Sequence, residues 1–317
     1  MTATQDEAAY LDHLQGLYRK AWPADANTAP HYPQGEVPLT AYLEAWARER
    51  PGTAAVIHYG HVTTYAELDA ASNRFAALLA AEGVRPGDRV AVFLPNMPQY
   101  HTVFFGILKA GAVHVPVSPM SRAFELAHEL NDTDAVLLVA LDELMPVVRE
   151  VQASGDAKAL RQVYVTGFAD LLPAAPTLPV PDSLRAPRIA CTDARELMPA
   201  LAAQPSAPPA HRPQLDDIAA LNYTGGTTGL PKGCVHTQRD MLYTAASNFG
   251  IALERAPDTV FLSFFPQFWI AGENLGIIFP VFCGAPLVLL SRWDPLAVLQ
   301  AVQRYQVTCM AMPVEGA

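Results

Sequence analysis

A segment rich in glycine and threonine, residues 222–236, carries residue types that could bind phosphate. Its sequence is Asn-Tyr-Thr-Gly-Gly-Thr-Thr-Gly-Leu-Pro-Lys-Gly-Cys-Val-His. Glycines let the backbone turn inward, so that its N–H groups can approach an anion closely. The threonine hydroxyls add further donors, and Lys232 adds a positive charge. The pattern therefore predicts a loop that handles the phosphate groups of a ligand.

The flanking sequence predicts the elements that position this loop. A hydrophobic run, Ile218–Leu221, precedes it, and a helix-like stretch from Gln238 to Leu253 follows it. The common nucleoside-triphosphate loop requires Gly, four residues, and then Gly-Lys-Ser or Gly-Lys-Thr. Lys232 is followed by a single glycine and then a cysteine, so that spacing is not met and an ordinary P-loop phosphotransferase is disfavoured. A flexible surface turn is the alternative, but it would not need the Pro-Lys-Gly order.

Composition bounds the class of protein. The chain has 317 residues, 51% of them hydrophobic, which predicts one large or two moderate domains with a sizeable core. A formal net charge of -10 argues against nucleic acid as a partner, because nucleic acid binding needs a basic face. The cysteines form no CxxC pair, and the acidic N-terminus has no apolar signal core. Reduced thiols in a cytoplasmic protein are therefore expected.

Short apolar stretches alternate with helix-like stretches twice along the chain. This alternation predicts an α/β fold of two parallel-sheet βαβ lobes with helices on both faces. We assign a helix and loop to residues 1–38, a first lobe to 39–172, a Pro/Ala-rich connector ordered only in part to 173–215, and an incomplete second lobe to 216–317. The uncharged stretch 274–291 is interrupted by prolines, which favours a buried helix and strand over a stable membrane span.

Three local features add smaller predictions. Thr64 and Glu67 have the spacing of a capping box that opens a helix. Lys109 is interpreted as an ordinary cation at the C-terminal end of a helix, where it would complement the helix dipole. His236, beside the glycine-threonine segment, is interpreted as a solvated or capping histidine.

Residues 223–233 resemble the signature loop of the adenylate-forming, or AMP-binding, superfamily. That family includes acyl-CoA synthetases such as long-chain fatty acid–CoA ligases, adenylation domains of peptide synthetases, and luciferases. Earlier segments are similar to further family blocks in the same order: Thr-Tyr-Ala-Glu-Leu at 64–68, Gly-Asp-Arg-Val-Ala at 87–91 and Leu-Lys-Ala-Gly-Ala-Val at 108–113. The resemblance covers most of the chain from about Leu39 onward.

The resemblance implies activation of a carboxylic acid. The acid attacks the α-phosphorus of ATP to give an acyl-adenylate and pyrophosphate, and the acyl group then passes to coenzyme A. The implied phosphate-binding residues are Thr224, Gly225, Gly226, Thr227, Thr228, Gly229 and Lys232. Among them, Lys232 and Thr227 are the implied catalytic residues, with Lys232 neutralising the leaving pyrophosphate. Thr228 is the implied contact to the Mg²⁺ that bridges the phosphate oxygens.

Residues 265–272 resemble a family segment that usually has the pattern Pro-x-Phe-His-x-x-Gly. Trp269 stands where histidine is common, and the resemblance implies that Trp269 and Gly272 border the acyl pocket. An aromatic core residue is the alternative for Trp269, because aromatic clusters usually pack inside. Gly225 stands where serine is frequent, which is similar to long-chain fatty acyl-CoA synthetases, and Gln238 stands where many relatives have histidine. Both departures leave the identity of the acid open.

Members of this family continue well beyond the point where this chain ends, with a Tyr-Gly-x-Thr-Glu segment, a ribose-binding aspartate and a C-terminal domain that carries a catalytic lysine. We therefore expect the N-terminal part of such an enzyme, inactive alone, whose full-length form activates an apolar or fatty acid. An amino-acid or aryl-acid adenylation enzyme stays open, because Glu273 could hold an α-amine. A truncated, non-catalytic nucleotide-binding or interaction module is the alternative from another class. The oligomeric state is also open, with a homodimer as one option.

Overall fold

The computed structural model describes residues 3–22, 29–224, 230–249 and 258–312. Helices and strands alternate through most of this part of the chain. The helices are α1 (Ala3–Ala21), α2 (Leu39–Glu49), α3 (Tyr65–Ala81), α4 (Pro98–Lys109), α5 (Ala123–Asp132), α6 (Met145–Ser154), α7 (Leu197–Ala202), α8 (Gln238–Phe249), α9 (Ile270–Glu273), α10 (Phe279–Cys283) and α11 (Pro295–Tyr305). The strands are β1 (Ala54–His58), β2 (His61–Thr64), β3 (Arg89–Phe93), β4 (Val113–Pro116), β5 (Leu137–Leu141), β6 (Gln162–Thr166), β7 (Arg195–Glu196), β8 (Ile218–Thr224), β9 (Lys232–Thr237), β10 (Phe261–Ser263), β11 (Leu287–Leu289) and β12 (Cys309–Met310).

The described strands form two sheets. The larger has the order β7-β6-β5-β3-β4-β8-β9, and the smaller has the order β12-β10-β11-β1-β2. Neighbouring strands run parallel except at one edge of each sheet, where β9 is antiparallel to β8 and β2 is antiparallel to β1. The predicted α/β class with parallel sheets is confirmed. Strand β9 was not predicted, because its glycine and cysteine hide the alternation that marks a strand.

Each sheet takes strands from both halves of the chain. In the smaller sheet, β1 pairs with β11, with Val56 opposite Leu287. In the larger sheet, β4 pairs with β8, with His114 opposite Ala220. The boundaries at 172 and 216 stay predictions about domains. Each of these two pairings joins a strand that precedes residue 172 to a strand that follows residue 216.

The segment predicted as a connector, 173–215, packs against both sheets. Its first part buries Leu178 and Leu184 in a cluster with residues of the smaller sheet. Its second part contains β7, which pairs with β6, and α7, which buries Leu197 and Leu201 in the main core. Apolar side chains at these positions therefore hold the segment against the body of the protein.

The main core lies between the sheets and includes helix α4, all of whose residues are buried. Helix α3 packs on α4 closely, because Gly106 has no side chain and a Cβ there would lie 2.7 Å from Cβ of Phe75. The predicted capping box opens α3: the backbone N–H of Glu67 donates to the Thr64 hydroxyl, and that of Thr64 donates to the Glu67 carboxylate. The interpretation of Lys109 as an ordinary helix-end cation is wrong. Its side chain is buried against α3, where Asp69 and Asn73 accept its hydrogen bonds.

The helical segment from Ile270 to Cys283 is interrupted. It consists of α9, a π-helical turn at Asn274–Ile278, and α10. The helix predicted from Gln238 to Leu253 is described as far as Phe249, and its remaining residues lie outside the described part. None of the described helices combines the length and the hydropathy that spanning a lipid bilayer would require.

Candidate active site

Strand β8 ends where the predicted phosphate loop begins, and strand β9 follows that loop in the sequence. Thr224, the last residue of β8, is opposite Lys232, the first residue of β9. Residues Gly225, Gly226, Thr227, Thr228 and Gly229 lie outside the described part of the chain, so their roles stay predictions. Because β3, β4 and β8 are parallel, the hairpin tip lies at the carboxyl edge of the larger sheet. Ligands of open α/β sheets bind at that edge.

Lys232 is exposed at this edge. It makes no ion pair with any carboxylate in the described part of the chain. Cys234, two residues further along β9, is also exposed, whereas Cys191 and Cys283 are buried. Strand β9 lies at the edge of the sheet, which leaves the Cys234 thiol open to solvent. The ammonium group of Lys232 is available for an anion bound at the hairpin tip.

Asn96 fixes the segment that resembles the acyl-pocket motif. Its side-chain amide donates to the backbone carbonyls of Phe265, at 2.9 Å, and Leu290, at 3.1 Å. Its side-chain oxygen accepts from the backbone N–H of Gln267 at 2.8 Å. Asn96 is buried, so these hydrogen bonds hold the segment against the smaller sheet without competition from water.

Trp269 lies immediately before α9, and 51% of its surface is exposed. Its indole ring meets the ring of Phe268 edge-on, with centroids 5.5 Å apart. An aromatic side chain in the core would have almost no solvent-exposed surface, so the core alternative does not fit Trp269. The exposed position is compatible with a surface that a ligand could cover.

Gly272 is buried at a close approach of the chain to itself. A Cβ at this position would lie 1.9 Å from the carbonyl oxygen of Pro266. Because that atom belongs to the backbone, it could move only with the whole segment. Glycine is therefore required at 272 for packing, and its place in an acyl pocket stays a prediction.

Glu273 belongs to a buried polar cluster that joins α9 to the larger sheet. Asn222 of β8 donates from its amide to one Glu273 carboxyl oxygen at 3.2 Å. The Nδ1 atom of His114, on β4, lies 3.6 Å from the same oxygen. The Nε2 atom of His114 lies 3.2 Å from the hydroxyl oxygen of Tyr100, within hydrogen-bond distance.

Burial favours the neutral forms of the acid and the base of this cluster. It raises the pKa of Glu273 to about 7, although the hydrogen bond from Asn222 opposes the shift. It also lowers the pKa of His114 to about 3. Removing either group from water disfavours its charged form. Glu273 exposes no surface, so in this structure it offers no charged group that could hold an α-amine.

The π-helical turn that follows Glu273 has a specific partner. His101, buried on α4, donates from Nε2 to the carbonyl of Gly276 at 2.8 Å. A π-helical turn widens the helix, and such turns are frequent at functional sites. The hydrogen bond from His101 satisfies a carbonyl within this turn. It therefore links the π-helical turn to helix α4.

Sequence reasoning missed the residues that support these segments. Asn96, His101, His114 and Asn222 were not selected as site residues. Their partners lie far away in the sequence, so no local spacing indicates them. Within the described residues there is also no group of three or more His, Cys, Asp or Glu side chains that could hold a metal ion.

The sequence model of AMP-binding enzymes matches residues 43–314. The chain belongs to the AMP-binding enzyme family. A long-chain-fatty-acid–CoA ligase of Bacillus subtilis (strain 168) is 28% identical over 305 residues, which cover 92% of this chain and 53% of that protein. A feruloyl-CoA synthase of Amycolatopsis sp is 33% identical over 262 residues, which cover 83% of this chain and 46% of that protein.

A solved member of the AMP-binding family has the same fold. The inhibitor-bound N-terminal domain of FACL13 from Mycobacterium tuberculosis superposes with a TM-score of 0.72 at 25% identity, over 86% of this chain and 62% of that chain. The chain thus spans about half the length of the curated relatives it matches. The family resemblance inferred from the segments at 64–68, 87–91, 108–113 and 223–233 is confirmed.

Proposed function

We propose that the protein containing this chain activates a carboxylic acid with ATP and transfers the acyl group to coenzyme A. One observation carries the proposal: the β8–β9 hairpin brings Thr224 and the exposed Lys232 together at the carboxyl edge of the parallel strands. That edge is where an α/β sheet binds ligands. Membership in the AMP-binding family and similarity to CoA ligases support the same chemistry.

Attack of a carboxylate on the α-phosphorus brings two anions together, so their repulsion must be screened. Residues 224–229 supply backbone N–H groups and hydroxyls for the β- and γ-phosphates. Lys232 neutralises the pyrophosphate as it leaves, and Thr227 assists it. Thr228 would help to hold a Mg²⁺ ion, which would supply positive charge against the phosphates.

The preferred acid is apolar, a fatty acid or a similar chain. Trp269 presents an exposed indole, and Gly272 lies on the same segment. Glu273, which could otherwise pair with an α-amine, is buried, and its burial favours the neutral form. The α-ammonium group of an amino acid would therefore find no exposed Glu273 carboxylate to pair with in this segment. We also place the protein in the cytoplasm, and a homodimer stays a prediction that sedimentation of the purified protein tests.

ATP–pyrophosphate exchange tests the function directly. The assay is run on the longest protein that carries this chain, with fatty, aryl and amino acids each offered in turn. We expect exchange with fatty acids, and acyl-CoA formation when coenzyme A is added. Exchange with amino acids alone would reject the apolar substrate. ATP binding without exchange for any acid would reject the enzyme and favour a nucleotide-binding module.

A further inference from the structure

Helix α5 contacts strand β8 and the residue that precedes strand β9 in the hairpin that flanks the predicted phosphate loop. On the first strand, the hydroxyl of Tyr223 donates to the carboxylate of Asp132 at 2.5 Å. Just before the second strand, the Nε2 atom of His128 donates to the carbonyl of Pro231 at 3.0 Å. Tyr223 precedes residues 225–229 by two positions, and Pro231 follows them by two. One helix therefore contacts the chain on both sides of residues 225–229.

The Tyr223 ring is also enclosed by its neighbours. It meets the His128 ring edge-on, with centroids 6.1 Å apart. Gly233 lies directly opposite Tyr223 in the hairpin, and a Cβ there would come within 3.2 Å of the tyrosine ring. Burial, and then the hydrogen bond to Asp132, raise the pKa of Tyr223, so its hydroxyl stays protonated as the donor. The ring is thus oriented by packing, and its hydroxyl by Asp132.

Helix α5 is itself firmly attached to the larger sheet. Leu126 and Leu130 are buried in a cluster that includes Phe93 and Val115 of the sheet. The hairpin is attached to the sheet less strongly than α5 is. Among the described strands, β9 lies at the edge of the sheet and pairs with β8 alone. An edge strand has a row of unpaired backbone groups on its open side and so depends more on other contacts. The contacts from α5 are contacts of this kind.

We infer that α5 positions Thr224 and Lys232, described residues on either side of the predicted phosphate loop, for ATP, with Asp132 holding Tyr223 and His128 holding Pro231. The inference rests on the proposed function, because it assigns these residues to the ATP half of the same site. Asp132, His128 and Tyr223 are positioning residues, since they act through the hairpin and not on the phosphates. The acid binds to a different segment, so losing these contacts should affect ATP and leave the acid alone.

Kinetics of the pyrophosphate exchange test the inference. We expect Tyr223→Phe and Asp132→Ala each to raise the KM for ATP about tenfold, which corresponds to about 1.4 kcal/mol. The KM for the acid should stay within twofold of the parent value, on the order of 0.4 kcal/mol. Asp132→Asn keeps an oxygen that accepts from the tyrosine hydroxyl, so it should retain a nearly normal KM for ATP. The double variant Tyr223→Phe, Asp132→Ala should be no worse than either single variant, because both remove the same hydrogen bond.

The chain offers a matched control. Tyr164 of β6 donates from its hydroxyl to the carboxylate of Glu82 at 2.9 Å, and three strands separate β6 from β8 in the sheet. Tyr164→Phe removes the same kind of hydrogen bond from the same sheet and should leave the KM for ATP unchanged. A tenfold rise in this control as well would show a general loss of order and overturn the inference.

Hydrogen exchange gives a readout that needs no activity. Backbone amides of residues 232–237 should exchange faster in Tyr223→Phe and in His128→Ala than in the parent, while those of β3 and β5 should not change. An unchanged KM for ATP together with unchanged exchange in the hairpin would overturn the inference. A parent protein that shows no pyrophosphate exchange would instead reject the proposed function, and the hairpin amides would then decide the role of α5 alone.

Discussion

Lys109 of α4 and Asp69 of α3 form an ion pair whose two members differ in burial. The ammonium nitrogen lies 2.5 Å from a carboxylate oxygen of Asp69, and the side chains are 1% and 20% exposed, respectively. Burial lowers the pKa of Lys109, and the nearby Asp69 carboxylate opposes that shift. Asn73 accepts a further hydrogen bond from the same ammonium at 2.7 Å. The lysine therefore depends on α3, whereas the aspartate keeps contact with water.

This asymmetry predicts unequal costs for removing the two partners. Asp69→Ala leaves a buried ammonium without its counter-charge and should lower the free energy of unfolding by about 3 kcal/mol. Lys109→Met should cost less, because the remaining carboxylate can be hydrated. Urea unfolding measures both. Asp193→Ala, which breaks the exposed pair with Arg149, is the control and should cost much less than Asp69→Ala, because water screens exposed ion pairs. Equal costs for Asp69→Ala and Lys109→Met would contradict the asymmetry.

Glu273→Gln should change the pH dependence of stability. The folded-state pKa of Glu273 is about 7, above its ordinary value of 4.5, so the native state binds the proton more tightly. The resulting stability is fully present below pH 4.5 and is lost as the pH rises towards 7. The glutamine variant lacks this loss. Between pH 4.5 and pH 7, the free energy of unfolding of the glutamine variant should therefore rise relative to that of the parent by on the order of 3 kcal/mol.

Glu67 provides a control of opposite sign. The backbone N–H of Thr64 and then its hydroxyl lower the pKa of Glu67, so its contribution is present at neutral pH and lost as the pH falls. Glu67→Gln should therefore be less stable than the parent at neutral pH, with the difference shrinking in acid. Unfolding of both variants from well below pH 4 up to pH 8 gives the comparison. Parallel profiles for Glu273→Gln and the parent would refute the buried neutral carboxyl.

Gly272→Ala should disturb the acyl-motif segment. The new methyl group would meet the Pro266 carbonyl, and overpacking of this kind costs about 1–3 kcal/mol or more. Gly276→Ala is the matched control, because its nearest atom is the side-chain oxygen of Ser263 at 3.3 Å, which can rotate away. Thermal unfolding should rank Gly272→Ala well below Gly276→Ala. Equal melting temperatures would mean that the segment yields more easily than its geometry indicates.

Trp269→Ala should change which acids are activated. The exposed indole is free to line a site for an acyl chain, so its removal should shift the preferred chain length while the KM for ATP stays the same. Pyrophosphate exchange with a series of fatty acids measures both quantities. Trp22→Ala, at another exposed tryptophan, is the control. An unchanged chain-length profile would remove Trp269 from the substrate site.

Lys232→Ala should slow adenylation and leave folding intact. Losing one group that stabilises the developing charge typically costs about a hundredfold in rate. The side chain is exposed at the start of β9, so the free energy of unfolding should hardly change. Lys20→Ala, at an exposed lysine of α1, should have no effect on exchange. Equal exchange rates in Lys232→Ala and the parent would reject the role given to this lysine.

Local patterns in the sequence were sufficient for many elements of the fold. Thr64 and Glu67 are three residues apart, and their capping box depends on nothing outside that turn. Helix α11, Pro295–Tyr305, is also marked by local signals, because proline at its start and regular apolar spacing both act within one helix. The parallel sheets followed from alternation, which is also a short-range signal.

Contacts between distant residues could not be predicted in this way. Lys109 looked like a helix-end cation, because only the packing of α3 on α4 brings Asp69 to it. Glu273 looked available to a ligand, since the sequence does not reveal that His114 and Asn222 enclose it. The phosphate loop was located by its glycines and threonines, whereas its support on α5 depends on a fold that joins residues 91 positions apart.

The interleaved pairing of the two sheets has a consequence for synthesis of the chain. When the first 215 residues have left the ribosome, β4 still lacks β8 and β1 still lacks β11. Both strands then present open hydrogen-bonding edges beside apolar surface, a combination that invites pairing with other chains. The nascent protein should therefore depend on a chaperone, or on rapid translation, until residue 289 emerges and the second gap can close.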